Sequence, residues 1–242
     1  MELPFKPGTE NPLNRDRFSV VLVKPEKQEN IGLVARVMKN TGFSDLRIVG
    51  LKDFNFEARR TAVHSLGILE KAKFYSTLNQ AVRELHLVFG STAKRRSKFS
   101  ILSLPEAVDI IYRYPLSTRI GFLFGNERTG LTSEELGISN FIFSLPQADR
   151  QPSYNLSSAV LLTLFEIFRR SPMEPLPVEE KPLPREEQDE CINIVLRKLR
   201  ESGFIHETNE IHITRRVQDL FGRLALNDKD RKLLMAIFNK IV

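Results

Sequence analysis

The chain has 242 residues, 41% of them hydrophobic and 27% charged, ordinary values for a globular protein with a real core, formed as one large domain or one domain with an appendage. Its lone cysteine, Cys191, excludes an intrachain disulfide framework and fits a reducing cytosol. Net charge is +6, and residues 186–242 carry ten basic and ten acidic side chains, so the whole excess lies in residues 1–185.

Residues 1–17 hold three prolines and few apolar side chains, which predicts a flexible arm. Strands are expected at Phe18–Val23, Leu46–Val49, Lys73–Tyr75, Leu85–Phe89, Ile120–Phe124 and Phe141–Ser144. Most are nearly continuous apolar runs, the pattern of a sheet covered on both faces. Helical spacing falls between them at Ile31–Asn40, Glu57–Leu66, Leu104–Tyr112 and Leu156–Arg169. This alternation over residues 18–170 predicts an α/β fold with a mostly parallel sheet. Residues 171–185 are rich in Pro and Glu and read as a linker. Residues 186–242 regain helical spacing, from Cys191, Ile192 and Val195 to Ile237, Phe238 and Ile241, and form a small helical extension.

Ligands of such sheets sit beyond the carboxyl ends of the strands, which singles out four loops. The first enters a helix through Asn30, read as its N-cap, and that helix ends at Gly42. Leu33, Val34, Val37 and Met38 should face the sheet, leaving Arg36 beyond the edge of that arc. The residues alone leave Arg36 open between a surface arginine and a group reaching the strand ends. The second loop, Gly125–Leu131, has the glycine spacing of a phosphate-binding P-loop, but Leu131 stands where the lysine should be. The third runs from Leu145 to Ser157, where Ser153 or Asn155 can cap the last helix. The fourth, Gly90-Ser91-Thr92-Ala93, leads into Lys94-Arg95-Arg96-Ser97-Lys98, a cluster open between a solvated loop and a polyanion site. A second basic pair is Arg59-Arg60. His64, His86, His206 and His212 form no H-E-x-x-H pattern, so no metal is expected. No charged-then-apolar leader opens the chain and no apolar run approaches bilayer length, which predicts a soluble, cytoplasmic protein with no membrane partner.

Three of these segments carry a resemblance. Asn30-x-Gly32-x3-Arg36, Phe124-Gly125-Asn126-Glu127-x2-Gly130-Leu131 and Ser153-x-Asn155-Leu156-Ser157 resemble, in order and separation, the signature motifs of the SpoU/TrmH branch of the SPOUT superfamily, which are RNA ribose 2′-O-methyltransferases. The tail, with Leu199-x3-Gly203-Phe204 and Arg215-Arg216-x3-Leu220-Phe221, is similar to the carboxy-terminal extension of the TrmJ subgroup. The resemblance implies a SPOUT fold with a C-terminal trefoil knot and a homodimer whose active site draws on both subunits. It also implies S-adenosylmethionine as cofactor, held by Ser91, Thr92, Ala93, Gly125, Leu145, Pro152, Ser153 and Tyr154. Asn30, Arg36, Glu127, Ser153 and Asn155 match the family's catalytic and structural polar positions. Lys94, Arg95, Arg96 and Lys98 are the expected RNA contacts. The implied substrate is tRNA, at cytidine or uridine 32 of the anticodon loop. Asn126 departs from the TrmJ pattern, where Arg is frequent, and keeps rRNA as the alternative substrate. A non-catalytic RNA-binding protein on the same fold and a small-molecule enzyme are the rival classes. An arginine stays protonated, so Arg36 is expected to hold a phosphate and stabilise developing negative charge. Glu127 is expected to orient Arg36 or a backbone amide rather than abstract a proton.

Overall fold

The computed structural model describes residues 15–94, 99–148, 153–170 and 179–240. Strand β1 (Phe18–Val23) is buried along its whole length, because its apolar side chains alternate between two helix-covered faces. Phe18, Val20 and Leu22 enter one core, whereas Val21 and Val23 enter the other. With β2 (Asp45–Val49), β3 (Lys73–Tyr75), β4 (Leu87–Ser91), β5 (Ile101–Ser103), β6 (Ile120–Phe124) and β7 (Phe141–Ser144) it forms one sheet, in the order β3-β2-β1-β6-β4-β7-β5. Every neighbouring pair is parallel.

Helices α1 (Gln28–Thr41), α2 (Phe56–Ala62), α3 (Leu66–Glu70), α5 (Leu104–Tyr112) and α7 (Leu156–Arg169) cover the first face. The short α4 (Leu78–Val82) and α6 (Ser133–Gly137) cover the second. Four expected strands and two expected helices coincide with those observed. The others differ for physical reasons. Strand β4 starts at Leu87, because Leu85 closes a turn on Val82. It continues through Gly90 and Ser91, expected in a loop, and Thr92 N–H still donates to Phe143 O at 2.9 Å. The single helix expected over Glu57–Leu66 breaks at Val63, whose φ of 50° lies in the left-handed region, a strained place for a β-branched residue. A 3₁₀ turn there separates α2 from α3.

At its start, the described chain makes a 3₁₀ turn at Arg15–Arg17, and Arg17 is buried with its guanidinium on the Pro115 carbonyl at 2.9 Å. Residues 1–14 of the expected arm and 171–178 of the expected linker lie outside the described residues. The tail folds as α8 (Arg185–Glu201), α9 (Glu210–Gly222) and α10 (Asp228–Lys240) around a core of their own. They dock at the amino-terminal edge of β4 and β7. Arg185 N–H donates to Leu85 O (2.8 Å) and the Arg185 guanidinium to Ile138 O (3.0 Å). The Asn140 amide reaches Leu224 O (3.0 Å), and the Gln188 amide reaches His86 O (3.3 Å). The opposite, carboxyl edge of the sheet is left to the candidate site.

His86 lies in this seam, 4% exposed, and its Nδ1 accepts from Arg119 N–H at 3.0 Å. Burial, then the charges of Lys181 and Arg119, push its pKa down to about 4. An unfolded histidine titrates near 6.5, so between these values the folded state binds fewer protons than the unfolded one. Stability is therefore full above pH 6.5 and falls as the pH drops toward 4, by about 2–3 kcal/mol from this residue. Urea midpoints between pH 7.5 and 4 should decline more steeply for the wild type than for His86→Asn, whose Oδ1 can accept the same N–H. Equal slopes would contradict this assignment.

Candidate active site

A cavity of about 350 Å³ opens at the carboxyl ends of β6, β4 and β7, three adjacent strands. Ser91, Thr92, Ala93 and Lys94 line it after β4, and Phe124 to Leu131 line it after β6. Leu145 and Gln147 follow β7, and Ser153, Tyr154, Leu156 and Ala159 close it from the start of α7. All expected cofactor contacts among the described residues are therefore on its wall, as is Lys94. Pro152, Arg95, Arg96 and Lys98 lie outside the described residues. Asn126, Arg128, Thr129, Gln147 and Ala159 also line the cavity without having been singled out as site residues. Asn126 stands in the second motif; for the others, membership of the same strand-end loops, or of the helix that follows, was the only signal.

The loops are held to one another. Ser91 Oγ donates to Leu123 O (2.9 Å), Gln147 Nε2 to Ala93 O (3.0 Å) and Tyr154 OH to Pro146 O (2.7 Å). The 125–131 loop turns back on itself through Gly130 N–H to Asn126 O at 2.8 Å. The Asn126 side chain fixes that turn, accepting from Arg128 N–H (2.9 Å) and donating to Lys24 O (3.0 Å). Gly125 permits the closure, because a Cβ there would stand 2.3 Å from both Gly130 C and Leu131 N. Gly32 plays the matching part outside the pocket. Its Cβ would meet Ala58 O at 2.1 Å, so its absence lets α1 and α2 touch backbone to backbone.

Behind the pocket, a chain of hydrogen bonds joins the three motifs. Asn30 Nδ2 donates to Glu127 Oε1 at 2.8 Å, and Asn30 Oδ1 accepts from Asn155 Nδ2 at 3.0 Å. Asn155 Oδ1 in turn accepts from Ser157 N–H (2.9 Å) and Ser157 Oγ (2.8 Å). Glu127 also accepts from Glu26 N–H (2.8 Å) and Lys27 N–H (3.1 Å). Burial pushes the Glu127 carboxyl upward in pKa, but these hydrogen bonds outweigh it and hold the group below the usual carboxylate range.

One expectation about these bonds is corrected: Asn30 is not the N-cap of α1. That helix starts at Gln28, three residues before the expected Ile31, and its N-cap Lys27 supplies no capping side chain. The Glu127 carboxylate meets the amides at this end instead, where helix polarity favours negative charge. Of the two partners foreseen for Glu127, the structure provides the backbone amides. Asn155 does cap α7, through Ser157 N–H, while its amide nitrogen reaches Asn30.

Arg36 stands apart. On α1 the buried arc is Ile31, Val34, Ala35 and Met38, with Leu33 and Val37 half-buried and Arg36 exposed. The arc is rotated toward Ile31 and Ala35 relative to the expected one. Arg36 is not on the cavity wall. Among the described residues no group of three or more His, Cys, Asp and Glu side chains is placed to hold a metal. No helix among them is long and apolar enough to cross a membrane.

Parallel sheet, strand-end pocket and three joined motifs fit an α/β methyltransferase, and the family comparison agrees. Residues 17–165 match the model of the SpoU rRNA Methylase family, and the chain belongs to that family. It is 34% identical to the tRNA (cytidine-2′-O-)-methyltransferase TrmJ of Methanocaldococcus jannaschii, over 91% of this chain and 98% of that one. It is 30% identical to the tRNA (cytidine/uridine/adenosine-2′-O-)-methyltransferase TrmJ of Pseudomonas aeruginosa, over 93% of each. The crystal structure of TrmJ from Z. mobilis ZM4 superposes with a TM-score of 0.78 at 27% identity, covering 92% of this chain and 98% of that one.

The cavity fits the family's cofactor, S-adenosylmethionine. Its size lies in the small-molecule range, and Leu131, Leu145 and Leu156 supply apolar walls beside the polar Ser91, Thr92 and Gln147. Gly125→Ala should force the 125–131 backbone apart and weaken S-adenosylmethionine binding by about tenfold or more, equivalent to roughly 1.4 kcal/mol. Far-UV circular dichroism should remain native. Calorimetry giving wild-type affinity would show that the tight turn is dispensable.

Proposed function

We propose that this chain is an S-adenosylmethionine-dependent 2′-O-methyltransferase of tRNA, acting on the cytidine or uridine at position 32 as a cytoplasmic homodimer. The observation that carries this reading is the convergence of Asn30, Glu127 and Asn155 behind a pocket of cofactor size. The tRNA substrate is supported by similarity to tRNA 2′-O-methyltransferases over 91% and 93% of the chain, which reaches into the helical tail. rRNA is the alternative substrate.

Ser91 to Ala93, Gly125, Leu145, Pro152, Ser153 and Tyr154 would hold the cofactor, which supplies a methyl group already activated on a sulfonium. What remains for the protein is alignment and charge. The attacking ribose oxygen must be held in line with the methyl group, and ordering of this kind removes several kcal/mol from a barrier. Glu127 is no base for the 2′-OH, since its oxygens are taken by three donors. Ser153, exposed at the pocket rim, is placed to pass the proton to the adjacent phosphate or to water. Arg36 binds the phosphate beside the target ribose and stabilises the developing oxyanion.

Because Arg36 does not line its own pocket, it serves the pocket of a second copy. A homodimer is further supported by α7, where Leu161, Leu162 and Phe165 are exposed together, an unusual amount of apolar surface for one helix face.

Arg36→Ala should lower kcat on tRNA by about 10²–10³-fold and leave S-adenosylmethionine affinity within about twofold of wild type. Co-expressed, separately tagged Arg36→Ala and Gly125→Ala chains test the shared site. The mixed dimer should recover up to half the wild-type activity, since one pocket is intact and faces an intact Arg36. No recovery would place Arg36 in the service of its own protomer. Labelled methyl appearing in rRNA but not tRNA would move the substrate, and none in either would favour the non-catalytic class.

A further inference from the structure

The pair Arg59-Arg60 takes no part in the pocket. Both belong to α2, where Phe56, Arg59 and Arg60 follow the i, i+3, i+4 spacing of one helix stripe. All three are exposed, and Phe56 is 72% exposed, more than any other Phe or Tyr among the described residues. A ring left this open on a helix that otherwise buries Ala58 and Ala62 is not required by the core.

The stripe is rigidly mounted beside Arg36. Gly32 brings α1 against α2, and Thr61 Oγ1 donates to Glu29 O at 2.9 Å. Arg60 bridges Glu57 (2.5 Å) and Glu29 (3.7 Å) across the two helices. Arg36 follows Glu29 by seven residues, two turns along the same side of α1. Next to it, Lys39 Nζ donates to the carbonyl of His64, just past the break at Val63. Glu29 and Glu57 are thus satisfied by Arg60, whereas Arg36 and Arg59 have no ion pair among the described residues. Phe56 opens α2 directly after the loop that follows β2, so it lies at the sheet edge that carries the pocket.

We propose that this α1–α2 face is the platform for a single-stranded RNA loop, with a base stacked on Phe56 and the flanking phosphates held by Arg59 and Lys39. The proposal rests on the RNA reading above and adds where the substrate lies on its way to Arg36. Stacking on an exposed ring beside cations is how proteins hold unpaired nucleotides. RNA is favoured over a protein partner because Arg36 and Arg59 have no ion pair among the described residues, which complements a chain of phosphates. The exposed apolar face of α7 is the better match for a second copy.

The chain has no tryptophan, so Phe56→Trp introduces a single reporter. Titration with an unmodified tRNA transcript should quench its emission saturably, at the same midpoint as methylation by the wild type. Phe56→Ala should raise KM for tRNA about tenfold, with kcat and S-adenosylmethionine affinity unchanged, and Phe56→Tyr should restore it. Arg59→Gln should reduce the salt slope of binding by about one. Unquenched, blue-shifted emission, or dissociation of the dimer by Phe56→Ala, would assign the face to a second copy and overturn the proposal. Quenching by tRNA in a wild-type background without methyl transfer would uphold the platform and sink the catalytic reading instead.

Discussion

The site depends on one buried amide. Asn30 is 3% exposed, and a buried amide must find partners for both ends or cost about 1–3 kcal/mol. Its neighbour Glu127 is a carboxylate and can only accept, which forces the Asn30 nitrogen toward it. The oxygen then faces Asn155, which must present its own nitrogen and leave its oxygen for Ser157. Each orientation dictates the next. The result fastens the loop after β6 and the start of α7 to the first turn of α1, although residues 30 and 155 are 125 positions apart.

That arrangement separates two roles which residue types alone leave merged. Glu127 has the chemistry of an acid–base group, but its hydrogen bonds are spent on Asn30 and on the backbone amides of Glu26 and Lys27. In the proposed function Glu127 and Asn30 hold the pocket, and the chemistry falls to Ser153 at the rim and Arg36 on the outer side of α1. The sheet distributes tasks in the same way. Its carboxyl edge carries the pocket, its amino edge carries the helical extension through Arg185, Asn140 and Gln188, and neither obstructs the other. On the helix layer between them, α7 exposes an apolar face and α1 and α2 a cationic one, and the two proposals assign these distinct surfaces to a second copy and to RNA.

Much of the fold was legible because its strands are buried on both faces and read as uninterrupted apolar runs. The short α4, α6 and β5 were not, since three to five residues display no period. The start of α1 was misread for a different reason. Asn30 is a good capping residue by type, but the group that meets the amides is Glu127, about a hundred residues away, and no local pattern reports such a partner. The break at Val63 was equally invisible, because β-branched residues rarely adopt positive φ. The pocket loops were legible in outline: the glycines and polar residues at strand ends marked them. Their mutual bonds, such as Gln147 to Ala93, belong to the tertiary structure and not to any motif.

The most direct test of this account is a double-mutant cycle between Asn30→Ala and Asn155→Ala, read by urea denaturation and by S-adenosylmethionine affinity. Two ends of one hydrogen-bonded chain should be strongly non-additive, with a coupling of about 1 kcal/mol or more in both measurements. Effects that simply add, within about 0.3 kcal/mol, would mean that the loops stand independently and that the joined motifs do not build the pocket.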